Sequence, residues 1–267
     1  MLRSYSTGRA SIHEVNIINK LKDLHLRSEK YPNLPIDRNL YKLMCNIDIL
    51  KLAYERLKSK PGQMTPGINP ETLDGISIEK LETIIEKLKS EKFQFQAGRR
   101  ILIPKTSGGT RSLTIVSPMD KLVQEAMRLI LEAIFEPLFS DFSHGFRPQR
   151  SCHTALKMIN QQFQAATWII EGDITQCFDN IDHNKLMAII EAKILDRKFI
   201  RLIWKSLKAG HFEFAVYKNN IIGTPQGSII SPILANIFMS QLDSFIKELK
   251  LDFDKGKESR ASKETNR

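Results

Sequence analysis

Residues 168–183, reading WIIEGDITQCFDNIDH, constrain this chain more than any other stretch. Trp168, Ile169 and Ile170 form a short apolar run rich in β-branched side chains, the pattern of a buried strand, and such a strand would carry Asp173 at its far end. A carboxylate there suits a hard cation. Mg²⁺ prefers oxygen ligands, and phosphoryl-transfer sites often hold two ions about 3.5–4 Å apart, bridged by carboxylates from different strands. A lone aspartate at a strand end is more often an Asx-type turn. The neighbourhood of this one favours the metal: Phe178, Asp179, Asn180, Ile181, Asp182 and His183 follow within one turn's reach. Asp182 is expected to cap a helix that begins near His183, where Leu186, Ile189, Ile190 and Ile194 recur at helical spacing.

A chain that handles phosphate should be basic, and this one is. Lys and Arg total 40 against 30 Asp and Glu, for a net charge of +10 and a pI near 9.5, although basicity alone is weak evidence. At 267 residues and 42% hydrophobic content the chain suffices for one large or two smaller domains with a proper core. Cys45, Cys152 and Cys177 are far apart and form no C-x-x-C pair, which indicates neither a zinc site nor a disulfide framework. No apolar run approaches the ~20 residues that span a bilayer, so a soluble protein without a membrane partner is expected. Residues 1–13 contain Arg3, Arg9 and several Ser and Thr, with no acid before Glu14. That composition suits a mitochondrial targeting segment, or an ordinary frayed terminus.

Helical periodicity predicts one helix over residues 12–26, carrying Val15, Ile18, Leu21 and Leu24, and stopped by Pro32 and Pro35. A second is expected over 40–57, with Leu43, Ile47, Leu50 and Tyr54 on one side. Residues 60–75, KPGQMTPGINPETLDG, are dense in turn formers and must be a loop. A helix follows at 78–88, with a stripe of Leu81, Ile84, Ile85 and Leu88. Residues 93–119 contain no acid and read as a basic β-hairpin: Arg99, Arg100 and Ile101 to Ile103 on one strand, a Thr-Ser-Gly-Gly turn, then Arg111, Leu113 and Ile115. Lys105 and Arg111 flank that turn, where a point charge and a planar fork can converge on a polyphosphate. Ser117-Pro118-Met119-Asp120 starts a helix to about residue 139, whose apolar positions cover several faces and leave Lys121 and Arg128 for solvent or RNA.

Two loops complete the set. Residues 143–151, SHGFRPQRS, combine Arg147 and Arg150 with an aromatic, which suits backbone contact and base stacking. They precede a helix from Cys152 to Phe163. After a strand over 211–217 and a turn at 218–220, residues 223–236 read GTPQGSIISPILAN, in which glycines and prolines clamp Gln226 before a helix opening at Ser231-Pro232.

These blocks, in this order, resemble the fingers and palm of reverse transcriptases encoded by group II introns. D-I-T-Q-C-F-D is similar to the first palm motif, R-R-I-L-I-P-K-x-x-G-G-x-R to the fingers hairpin, S-x-G-F-R-P-x-R-S to the loop behind it, and P-Q-G to the nucleotide-contacting turn. The resemblance implies that Asp173 is a catalytic Mg²⁺ ligand and that Ile174 lends a backbone carbonyl. It further implies that Phe178 packs under the sugar of the incoming deoxynucleoside triphosphate, that Lys105 and Arg111 grip its triphosphate, and that Gln226 and Gly227 contact nucleotide or template. Arg99, Arg100, Arg147 and Arg150 are the candidate RNA contacts. The fold expected is α/β (α+β), a right-hand architecture with helical fingers, a β-hairpin and an incomplete antiparallel palm sheet.

The departure from the family is the absence of any adjacent Asp-Asp pair, which a complete palm requires. Resemblance covers most of residues 40–250, with an extension at 1–39, fingers at 40–165, a partial palm at 166–250 and a disordered polar tail at 251–267. The implied partners are intron RNA, an RNA template and a DNA primer, in a mitochondrion. The implied function is that of the front part of an RNA-directed DNA polymerase, inactive as a polymerase in this form. The alternative is a maturase-like splicing cofactor, or a remnant, that binds intron RNA and catalyses nothing.

Overall fold

A computed structural model of the chain describes residues 12–37, 39–60, 62, 65–106, 108–164, 168–213, 216–219, 222–224 and 227–265. Helix α5, Pro118–Phe135, is the axis on which the rest packs. The side chain of Ser117 accepts a hydrogen bond from the Asp120 amide at 3.2 Å and Pro118 fills the first turn, so the start predicted from the sequence is the one observed. Leu122, Val123, Ala126, Met127, Leu129, Ile130, Leu131 and Ile134 are inaccessible to solvent all around the helix. A helix apolar on every side must be enclosed. Here the enclosure is α1 (Ile12–Lys30), α2 (Leu40–Met44), α3 (Ile47–Leu57) and the start of α9 (Ser231–Thr265). Ser28 of α1 donates to the Ile134 carbonyl at 2.7 Å, satisfying one of the carbonyls that a helix end leaves open.

The two cations expected to face outward from α5 do not. Lys121 is buried, and its Nζ donates to the carbonyls of Gly62 at 3.4 Å and Thr65 at 3.2 Å, fastening the 60–75 loop to the spine. Gly67 of that loop lies so close to the cap that an added Cβ would sit 3.1 Å from the Ser117 backbone. Arg128 lies between Glu125 and Glu132, donating from Nε and Nη2 to the Glu125 carboxylate at 2.7 and 2.8 Å and from Nη1 to Glu132. A charge enclosed this way is tolerable only when paired.

The single helix expected over 40–57 is two, because the Asn46 side chain accepts from the Asp48 amide at 2.9 Å and restarts the helix there. Helix α4, Ile78–Lys89, matches its prediction and buries Leu81, Ile84, Ile85 and Leu88. The fingers hairpin is β1 (Gly98–Pro104) with β2 (Thr110–Ile115). Helices α6 (Cys152–Gln162), α7 (His183–Lys193) and α8 (Arg197–Leu207) follow, and Asp182 caps α7 through the Lys185 amide at 2.9 Å.

The sheet is mixed, in the order β2, β1, β3 (His211–Glu213) and β4 (Val216–Lys218). The one strand expected over 211–217 is two short ones, β3 and β4, paired antiparallel; β3 runs parallel to β1, with Gly98 opposite His211. Gly98 is also pressed against β2, since a Cβ there would stand 2.3 Å from Thr114 Cγ2. Helix α9 buries Leu234 and Ile237 near its start but exposes Leu242, Phe245, Ile246 and Leu249 further on. Its helical backbone continues to Thr265, where the sequence suggested a disordered tail from residue 251.

Candidate functional site

Two chain segments 40 residues apart are stitched into one unit. The Thr224 amide donates to the Phe178 carbonyl at 2.7 Å and the Gly223 amide to the Ile181 carbonyl at 2.8 Å. His183, buried at the start of α7, lies with Nε2 2.7 Å from the Gly223 carbonyl oxygen, so this nitrogen carries the proton and donates it. Gly223 has φ +83°, and a Cβ on it would meet the Asp179 carbonyl oxygen at 2.6 Å; only glycine fits. Gly227, with φ +101°, is pressed in the same way onto β2, its missing Cβ 2.6 Å from the Thr114 carbonyl oxygen and 2.7 Å from Leu113 Cδ1. Beyond it, Ser228 Oγ and the Ile229 amide both donate to Gln124 Oε1 of the spine, at 2.9 and 3.2 Å. Pro225 and Gln226 lie outside the described residues, but the residues on either side of them are fixed to the 178–183 turn and to the fingers hairpin.

The hairpin places its cations beside that junction. Arg111 stands opposite Ile103, and Leu113 opposite Ile101, so Arg111, Leu113 and, by alternation, Lys105 share one face. The Lys105 amide donates to the Gly109 carbonyl at 3.0 Å, and Gly108 and Gly109 take left-handed backbone, which makes the turn tight. Lys105 and Arg111 are exposed and have no side-chain partner among the described residues. Leu113, on the same face, is the residue against which Gly227 packs.

The four candidate RNA arginines separate. Arg147 is buried: it pairs with Glu136 at 2.9 Å, donates from Nη1 to the carbonyls of Ser140 and Ser143 at 2.6 and 2.8 Å, and lies over the Phe139 ring. It is a strut for its loop, and its guanidinium is fully engaged by protein. Burial pushes the Glu136 carboxyl up, against the lowering effect of Arg147. Arg100 is likewise held inside the sheet, by Ser112 Oγ at 2.6 Å and His211 Nε2 at 3.0 Å. Arg150 pairs with Asp141 at 2.8 Å. Arg99 is exposed and holds the 60–75 loop through the Pro66 carbonyl at 3.2 Å. Sequence position alone gave these arginines equal standing; partners distant in sequence distinguish them.

The opening of the palm departs furthest from expectation. Residues 168–172 are not a strand, and Trp168, Ile169 and Ile170 are 88, 75 and 97% exposed. A β-branched run becomes a strand by pairing and by packing one face, and no described strand lies alongside it: the sheet sits on the fingers hairpin instead. Asp173 and Ile174 are therefore exposed on irregular chain. Among the described residues no group of three His, Cys, Asp or Glu side chains converges to hold a metal. Asp173 and the Ile174 carbonyl, the ligands the resemblance implies, would offer two oxygen donors where Mg²⁺ takes a larger set, so these residues alone do not make a complete site. Phe178 is partly buried and meets the ring of Phe146 edge to face, centroids 6.0 Å apart.

Sequence reasoning passed over Gln124 and His183. A lone glutamine among the apolar positions of α5 was the available signal for the first; His183 was visible but was assigned only to a helix start. A cavity of about 1010 Å³ between α1, α2, α3 and α4, lined by Leu24, Leu43, Cys45 and Ile85, shares no residue with this site. No described helix is long and apolar enough to cross a membrane.

Comparison with known proteins gives concordant results. Residues 103–255 match the family model described as reverse transcriptase (RNA-dependent DNA polymerase). The chain is 58% identical over 254 residues to an uncharacterized 91 kDa protein in the cob intron of Schizosaccharomyces pombe, covering 95% of this chain and 31% of that protein. It is 50% identical over 226 residues to the group II intron-encoded protein LtrA of Lactococcus lactis subsp. cremoris, covering 84% and 38%. The chain thus spans about a third of the length of these relatives. Among solved structures, a partial Cas6-RT-Cas1-Cas2 complex matches with a TM-score of 0.52 at 19% identity, over 78% of this chain and 35% of that one, a likeness of fold. The chain belongs to the reverse transcriptase (RNA-dependent DNA polymerase) family and is related to the proteins encoded by group II introns.

Proposed function

We propose that these residues form the nucleotide-gripping and RNA-binding front of a group II intron-encoded reverse transcriptase and maturase, and that alone they bind intron RNA without synthesising DNA. The observation that carries this reading is the seating of Gly227 on Leu113 and Thr114, which brings the 223–228 loop, the 178–183 turn and the hairpin face bearing Lys105 and Arg111 into one junction. In that arrangement Lys105 and Arg111 neutralise the triphosphate of a deoxynucleotide, Arg as a fork and Lys as a point charge. Phe178 offers a ring edge to the sugar, and Gln226 and Gly227 border the nucleotide and the template. Asp173 supplies one carboxylate toward Mg²⁺, which in this family stabilises charge at the reacting phosphate. No chemical step is assigned through it, because the chain contains no Asp-Asp pair to complete the ligand set. The intron-encoded relatives and the acid-free start of the chain support a mitochondrial location. Duty in splicing, with RNA bound and nothing catalysed, is the version favoured by the exposure of Asp173.

Fluorescence anisotropy with labelled intron RNA tests the binding. The logarithm of affinity is expected to fall linearly with the logarithm of salt concentration, and Arg99→Ala with Arg150→Ala to reduce the slope by about 0.7 per phosphate contact removed on single-stranded RNA. Salt-independent affinity, untouched by the double substitution, would contradict the proposal. Primer extension is expected to be absent in the chain and in Asp173→Ala alike; extension by both would remove Asp173 from the site.

A further inference from the structure

We propose that Phe146 is a stacking platform for an unpaired nucleobase of the bound RNA, acting beside Phe178; this rests on the RNA-binding reading above. Three observations converge on it. Phe146 takes left-handed backbone, φ +55°, a conformation that bulky side chains avoid and that persists only where the surroundings impose it. The surroundings do impose it: the Gly145 carbonyl accepts from Asn236 Nδ2 at 2.8 Å, and Arg147 on the other side is the buried strut to Glu136, Ser140 and Ser143. Held at both neighbours, the loop does not turn the ring inward but leaves Phe146 71% exposed. An apolar ring held mostly in water by a strained backbone gains little for folding beyond its contact with Phe178, whereas each base has a π-face that such a ring can cover.

The position suits that task. The Phe146 ring meets Phe178 edge to face, 83° between planes, and with 71% of the residue still in solvent it keeps open surface for a base beside the nucleotide-side aromatic. Arg150, four residues after Phe146 and paired with Asp141, and the exposed Phe142 border the same loop.

The test uses the full chain and two labelled single-stranded RNAs of identical length, one with all its bases and one abasic throughout, titrated by anisotropy at fixed salt. Phe146→Leu keeps an apolar side chain of similar reach but no ring; Phe146→Trp enlarges the ring. Phe146→Leu is expected to weaken the base-bearing RNA about tenfold, within the range of one base–aromatic stack, and to leave abasic binding and the salt slope unchanged. Phe146→Trp is expected to bind the base-bearing RNA at least as tightly as the parent. Equal affinity of Phe146→Leu and parent for the base-bearing RNA overturns the stacking role while leaving the proposed function standing. An equal loss on both RNAs also overturns it, by making the effect structural. Failure of the parent chain to bind either RNA overturns both proposals together.

Discussion

The spine and the opening of the palm have similar local sequences and opposite fates. Leu129, Ile130 and Leu131 on α5 are wholly buried, whereas Trp168, Ile169 and Ile170, an equally apolar triplet, stand almost fully in solvent. Hydrophobicity is the same; the supply of partners is not. Around α5 the apolar stripes of four other helices lie within the described chain, and a helix satisfies its own backbone wherever it sits. A strand must borrow both hydrogen bonds and a covered face from neighbours, and among the described residues no strand lies beside residues 168–172. The same contrast divides α9, buried at Leu234 and Ile237 and exposed from Leu242 to Phe253.

The sharpest way to break the comparison is at the buried charges of the spine. Arg128→Met leaves Glu125 and Glu132 without their cation and is expected to destabilise the chain by about 3–5 kcal/mol in urea unfolding. Ile130→Ala, at a site with no exposure, is expected to cost about 2–5 kcal/mol. A third probe is pH. Asp120 is buried against the Gln96 amide and desolvation raises its pKa from 3.8 to about 7. The folded state then holds a proton that the unfolded state releases, so this group's stabilisation is complete below about pH 4 and declines as pH rises to about 7, by up to about 1.4 kcal/mol per pH unit. Asp120→Asn is expected to remove that decline, measured as the difference in unfolding midpoint between parent and variant across the interval. At the weak end, Ile170→Ala is expected to change stability by less than about 0.5 kcal/mol, as at other exposed sites. A cost comparable to that of Ile130→Ala would show the two regions to be alike.

What could be read in the sequence followed how local its causes are. The start of α5 lies in Ser117, Pro118 and Asp120, and the stripe of α4 in its spacing; both depend on neighbours a few residues away. The break at Asn46 was equally local but hidden, since an asparagine in a helical run looks like a solvent-facing residue until its side chain caps the next turn. Lys121, Arg128 and Arg147 were assigned outward because charge is usually exposed, yet each meets partners that the chain brings together only on folding. At the site, the motif blocks carrying Asp173, Gly227 and Lys105 were legible, but not the bonds that join them. His183 to Gly223 and Gln124 to Ser228 span 40 and 104 residues, beyond the range of any spacing rule.

Amide hydrogen exchange under native conditions tests the central claim most directly, namely that the fingers side of the site is a finished structure and the Asp173 side is not. Amides of residues 122–134 are expected to exchange only by global unfolding, those of Gly223 and Thr224 to be protected by their bonds to Ile181 and Phe178, and those of Ile169, Ile170 and Glu171 to exchange at near unfolded-chain rates. Protection at 169–171 equal to that of α5, or free exchange at Gly223 and Thr224, would contradict it.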